Sequence, residues 1–192
     1  MTASPGQINI TETFVRHRKM SDELKIPLLV WVDDHANRGW AYTLLSHARE
    51  LGVQVYTFKS TLETEKWIEH NIGTNPPLKL LTNADFLRNH DGAPKGIRFV
   101  TDVVRYEQGE DGMKLDPDAG FKVTRYIRDR LSSAPILVRT HSNNLTNTKF
   151  VREYSLTGST CEDGVVRLYI DALAGVAEDN EGSDWAKYNA SM

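Results

Sequence analysis

Short apolar runs alternate with stretches of helical spacing along the middle of the chain. Leu28-Leu29-Val30-Trp31-Val32 is continuously apolar and stops at two acids, Asp33 and Asp34. Such a run predicts a strand covered on both faces of a parallel sheet. Arg38 to Leu51 brings Ala41, Leu44, Leu45, Ala48 and Leu51 onto one helical face, and Gly52 closes it. Val53 to Phe58 alternates as a second strand. Thr61 to His70 reads as a helix with Leu62, Trp67 and Ile68 apolar. A loop over 71–77 and a short strand over 78–81 follow. Ile97 to Thr101 is the third clear strand and runs into Asp102. The stretch 106–118 is polar and reads as an insertion. Ala119 to Leu131 is helical, with Phe121, Val123, Ile127 and Leu131 as core positions. Pro135 to Val138 is a fourth strand, closely followed by Thr140. A helix over 145–154, a short fifth strand over 158–161 and an amphipathic helix over 164–173 complete the series.

Strands alternating with helices imply βαβ units, a parallel sheet and right-handed crossovers. Five units in about 145 residues predict an α/β, flavodoxin-like (βα)5 fold with strand order 2-1-3-4-5. The domain spans 26–174. Residues 1–25 are a polar N-terminal extension, with a short helix over 11–20. Residues 175–192 are an acidic C-terminal tail, in which Trp185 and Tyr188 offer points of attachment to a surface.

Composition narrows the function classes. Of 192 residues, 40% are hydrophobic and 26% charged, the balance of a soluble globular protein. The net charge of −3 gives no basic footprint for nucleic acid. The one basic cluster, Arg16-His17-Arg18-Lys19, is flanked by Glu12, Asp22 and Glu23 and reads as a solvated helix face. One cysteine, Cys161, excludes an intrachain disulfide and a Cys-rich metal site, and it reads as buried and inert. No stretch approaches the ~20 apolar residues of a membrane span. The first residues lack the basic and apolar regions of a secretory signal. A cytoplasmic setting is therefore expected, and the Asn-x-Ser/Thr sequons at Asn9, Asn144 and Asn189 read as chance matches.

Chemistry concentrates at the carboxyl ends of strands in this architecture. Asp33 and Asp34 follow strand one, Asp102 follows strand three and Thr140 follows strand four. In the expected order strands one and three are neighbours, so three carboxylates converge. Like charges raise one another's pKa, and a divalent cation relieves the conflict. Mg²⁺ takes oxygen ligands, commonly carboxylates, waters and phosphate oxygens. The convergence thus reads as a hard-cation site. A lone Asp-Asp is more often a turn or a helix cap; Asp102 and Thr140 tip the balance. His35 and His141 lie on the same rim and read as solvated. Trp31 and Trp67 read as core. No glycine-rich phosphate loop or Gly-x-Ser-x-Gly elbow is present.

The run Leu-Leu-Val-Trp-Val-Asp-Asp, then Ile-Arg-Phe-Val-Thr-Asp102, then Ala-Gly-Phe-Lys-Val-Thr-Arg-Tyr-Ile-Arg, then Pro-Ile-Leu-Val-Arg-Thr140 resembles the receiver domain of two-component response regulators. The resemblance covers roughly 26–174. It implies that Asp102 is a phosphoacceptor, that Asp33 and Asp34 hold Mg²⁺ together with Asp102 and the Val104 carbonyl, and that Thr140 is a switch hydroxyl. It also implies a histidine kinase or phosphotransfer protein upstream and a protein partner or homodimer downstream; the charge balance and the lack of a long apolar stretch add the expectation of no nucleic-acid and no membrane partner. Such a domain is not an enzyme beyond its own phosphorylation and dephosphorylation. The chain departs from the pattern at strand five. There Thr157-Gly158-Ser159-Thr160-Cys161-Glu162 carries neither the usual Lys nor the aromatic switch residue. That resembles an atypical branch. Arg105 and Arg139 are the nearest replacements for the lost cation, and both read as surface residues.

Three functions stay open at this point. One is a phosphorylatable receiver. The second is a pseudo-receiver, an interaction or dimerisation module in which the 106–118 segment or an arginine fills the pocket. The third is a metal-dependent enzyme acting on a phosphorylated substrate, supported by the acidic cluster alone.

Overall fold

The computed structural model describes residues 27–71, 96–109, 111–131, 134–140 and 156–176. The expected elements over 11–20, 78–81 and 145–154, His141 and the tail from 177 onward lie outside these residues.

Five parallel strands form the sheet: β1 (Leu28–Val32), β2 (Gln54–Phe58), β3 (Ile97–Asp102), β6 (Ile136–Arg139) and β7 (Thr157–Thr160). Their order is β2-β1-β3-β6-β7. Counting only the strands of this sheet, that is 2-1-3-4-5, the flavodoxin-like order expected. The strands β4 (Arg105–Gly109) and β5 (Gly112–Asp116) form a separate antiparallel hairpin.

The unbroken apolar run of β1 follows from its central place, because every residue of it is buried. Alternation sends Leu28, Val30 and Val32 to one face and Leu29 and Trp31 to the other. The first face is covered by α2 (Thr61–Asn71) through Ile68 and by α3 (Ala119–Arg130) through Val123 and Ile127. The second is covered by α1 (Gly39–Glu50) through Ala41, Leu44, Leu45 and Ala48, and by α4 (Asp163–Leu173) through Val166, Tyr169 and Ile170. Fully burying each Leu, Ile or Val among them contributes about 1.5–3 kcal/mol. Strand β2, at the sheet's edge, is only half-buried throughout.

Helix α1 stops where expected. Gly52 adopts φ +78°, and its N–H and that of Leu51 return to the carbonyls of Arg49 and His47. Trp31 is core as expected. Trp67 is partly buried, its ring 5.1 Å from Tyr56 and 5.6 Å from Phe58.

The 106–118 stretch differs from its reading as a polar insertion. Its first part pairs as the hairpin, Tyr106 opposite Leu115 and Gly109 opposite Gly112, with Gly112 at φ +105°. Polar composition hid it because its pattern is inverted. Arg105 and Glu107 face the domain, whereas Tyr106, Met113 and Leu115 face outward. Among the described residues, no helix is long and apolar enough to cross a membrane.

Candidate functional site

Register sets the site. Val32 pairs with Thr101, so Asp33 leaves the sheet level with Asp102. Asp102 in turn pairs with Arg139, and Thr140 lies one residue beyond it, its N–H donating to the carbonyl of Thr160. The acids and Thr140 therefore share the carboxyl edge, where the crossover from β1 reverses direction between β2 and β3. Asp33, Asp102 and Thr140 are buried, and Asp34 is half-buried.

Local backbone fixes the acidic pair. The Asp33 N–H donates to the Phe58 carbonyl at 2.9 Å, and its carboxylate accepts from the His35 N–H at 2.7 Å. Trp31 Nε1 approaches the other carboxylate oxygen at 3.5 Å. Asp34 Oδ1 meets His35 Nδ1 at 2.8 Å, and its Oδ2 accepts from the Tyr106 N–H at 3.2 Å. One possible ligand atom each from Asp33, Asp34 and His35 lies within 4.8 Å of the others. A cleft of about 180 Å³ opens beside them, lined also by Asn37, Lys59 and Glu63. Compact oxygen donors beside a space wide enough for waters suit a hard cation. The exposed imidazole of His35 is the one donor of another kind. Val104, whose carbonyl the resemblance assigns to the metal, is exposed at the turn into the hairpin.

Asp102 faces a different partner. Arg105, three residues on, places Nη1 2.5 Å from Asp102 Oδ1 and 3.0 Å from Thr101 Oγ1. Its Nη2 donates to Thr61 Oγ1 at 2.7 Å and to the Ala119 carbonyl at 3.2 Å, and Nε donates to Glu107 Oε1 at 2.8 Å. All five guanidinium donors are thus satisfied. Glu107 also accepts from the Thr61 N–H at 2.9 Å and the Thr61 hydroxyl at 2.7 Å, so a hairpin carboxylate caps the start of α2.

Both arginines read as surface residues are buried, and this corrects the sequence reading. Arg105 is 1% exposed, because two carboxylates and neutral acceptors from four segments replace its water. Arg139 is 8% exposed. It stacks over the Trp40 ring at 3.6 Å and pairs with Asp163 at 2.9 Å, on the α1 and α4 side. Cys161, read as buried, is half-exposed just past β7.

Electrostatics single out Asp102. Burial, with the charges of Asp33 and Asp34, raises its carboxyl to about 7 even though Arg105 pulls it down. Asp102 thus senses the charges of the other two acids across the edge.

Gly120 completes the site and was not singled out in the sequence. A Cβ there would lie 2.0 Å from the Asp102 carbonyl oxygen and 2.8 Å from Val103 Cα. Its N–H donates to the Val103 carbonyl at 2.9 Å. The first turn of α3 therefore rests directly on the Asp102 loop. The only sequence signal was Ala119-Gly120, small residues opening a helix directly after Asp118.

No protein-family model matches the sequence, and no curated protein matches it. Solved structures similar to the chain include receiver domains and a response regulator. A signal receiver domain from Vibrio parahaemolyticus has a TM-score of 0.47 at 10% identity, over 78% of this chain and 90% of that one. The receiver domain of Francisella response regulator 1452 has a TM-score of 0.46 at 12% identity, over 78% and 97%. RcsB from Salmonella enterica serovar Typhimurium, bound to the rprA promoter in the presence of the phosphomimetic BeF3⁻, has a TM-score of 0.44 at 15% identity, over 78% and 98%.

Proposed function

We propose that the chain is a receiver-like signalling module in which Asp102 accepts a phosphoryl group with Mg²⁺ held by Asp33 and Asp34. The observation that carries this reading is the register that sets Asp33 level with Asp102 at the edge of a 2-1-3-4-5 sheet. Bound Mg²⁺ would supply charge neutralisation and hold the phosphoryl oxygens, which is most of what phosphoryl transfer requires. The chain's own residues do the rest. Asp102 is the nucleophile, Asp33 and Asp34 are fixed by the hydrogen bonds to their oxygens, and the Thr140 hydroxyl is the group that answers the new phosphoryl. A histidine kinase or phosphotransfer protein is the natural donor. With a net charge of −3, a protein partner or a second copy is the favoured recipient of the signal.

A second reading has one specific observation behind it. Arg105 satisfies every donor within the domain while bound to Asp102. That favours an interaction module whose acid is never phosphorylated. Incubation with Mg²⁺ and acetyl phosphate, followed by intact-mass measurement, separates the two. The first reading expects one added phosphoryl group, absent from Asp102→Asn and absent when EDTA is present. An unlabelled native chain would sink it in favour of the second.

A further inference from the structure

The receiver reading leaves one physical gap. The receiver pattern supplies a fixed positive charge besides the metal from a Lys at the end of the fifth strand, and here the end of β7 offers Thr160, Cys161 and Glu162. We infer that Arg105 is that charge: a catalytic residue delivered by the hairpin rather than by the fifth strand of the sheet. This inference rests on the receiver reading of the site.

Position carries it first. The Nη1 of Arg105 already lies 2.5 Å from the Asp102 oxygen. Its other bonds, to Thr101, Glu107, Thr61 and the Ala119 carbonyl, hold the guanidinium in place. The planar fork is therefore oriented before any phosphoryl group arrives, and little rotamer freedom is left to lose. Charge carries it second. Asp102 and Glu107 both bond the guanidinium, and Asp33 and Asp34 stand close enough to act on Asp102, so acids outnumber this one cation at the site. A phosphoryl group adds further negative charge, which a guanidinium meets with a fixed fork of N–H donors. Among the described residues, Arg139 and Lys59 are the other cations near this edge, and each has other neighbours. Arg139 points to Trp40 and Asp163 on the α1 and α4 side. Lys59 is exposed and lines the cleft beside Asp33 and Asp34.

The step balances without a further reactant. An Asp102 carboxylate oxygen attacks the phosphorus of acetyl phosphate, a P–O bond to Asp102 forms, and the P–O bond to acetyl breaks. Acetate leaves with the electron pair. Arg105 donates a hydrogen bond to the transferring group and moves no proton. In the reverse half, water attacks phosphorus and the Asp102 carboxylate is regenerated with release of inorganic phosphate.

Arg105→Lys keeps the charge and loses the fork, whereas Arg105→Met loses both. Two readouts apply to each variant: the rate of labelling by acetyl phosphate, and the affinity for beryllofluoride with Mg²⁺ by fluorine NMR. Circular dichroism and thermal melting establish that each variant is folded. Labelling is expected to slow about 10-fold in Arg105→Lys and about 10²–10³-fold in Arg105→Met, the scale of losing one oriented donor. Beryllofluoride affinity should weaken in the same order. A folded Arg105→Lys or Arg105→Met that labels at the native rate or faster, with native beryllofluoride affinity, overturns the inference and leaves the receiver reading intact. If Arg105→Met does not fold, Arg105→Lys decides alone. A native chain that takes neither ligand removes the receiver reading and the inference with it.

Discussion

At Asp102, burial and charge pull in opposite directions. The carboxyl loses water to β3 and α3, and two neighbouring acids add to the penalty on its ionised form. Arg105 offsets part of this, yet the carboxyl is still raised to about 7. In the unfolded chain an aspartate ionises near ~3.9. Between those two values the folded state holds a proton that the unfolded state has lost. Stability from this group is full below about pH 4 and is lost as pH rises toward 7. Asp102→Asn removes the titration, and its amide oxygen still accepts from Arg105. In EDTA, the gain in melting temperature of Asp102→Asn over the native chain should therefore be larger at pH 8 than at pH 5. An equal gain at both would mean that the carboxyl is not raised. The acids were legible in the sequence because each ends an apolar run. Arg105 was not. Arginine is usually exposed, and only the fold reveals that Glu107, Thr61 and Ala119 surround it.

At the scale of elements, the contact between α3 and the Asp102 loop is the most exacting. Gly120 has ordinary helical geometry, so its requirement comes from space alone. An alanine methyl would need to share a position with the Asp102 carbonyl oxygen. Gly120→Ala is expected to cost about 1–3 kcal/mol or more in chemical denaturation, as overpacking a rigid contact does. Backbone rather than a flexible side chain would have to yield. A native-like midpoint would show that the helix can lift off the loop freely. Among the described residues, the helices and all five strands of the sheet lay where the sequence pattern put them, within a residue or two. The hairpin β4–β5 did not, because it points charge inward and apolar side chains outward. A period-2 pattern read with the usual polarity registers such a segment as loop. Its signal lay in the Gly109-x-x-Gly112 spacing flanked by Tyr106 and Leu115.

Over the whole molecule, strand order was the most legible property and side-chain pairing the least. Order follows from local run lengths and from the handedness of crossovers. Pairing depends on which distant segments the register brings level, as with Glu107 and Thr61. The two layers also differ in character. The α2 and α3 side carries the hydrogen-bonded Arg105 network. The α1 and α4 side carries Trp31, Trp40 and Arg139 in succession, ending on Asp163. Trp31 has a consequence for experiment. Its indole N–H approaches the Asp33 carboxylate at 3.5 Å, and its ring stands 5.6 Å from that of Trp40. An indole excited state is strongly dipolar, and a divalent charge settling on Asp33 in a poorly screened interior changes the field across it. The domain thus contains its own optical gauge of ion loading. Mg²⁺ titration should shift tryptophan emission with the midpoint that calorimetry gives. Trp31→Phe should silence the shift while heat is still exchanged. Emission that stays constant through calorimetric saturation would mean that the ion settles elsewhere than on Asp33.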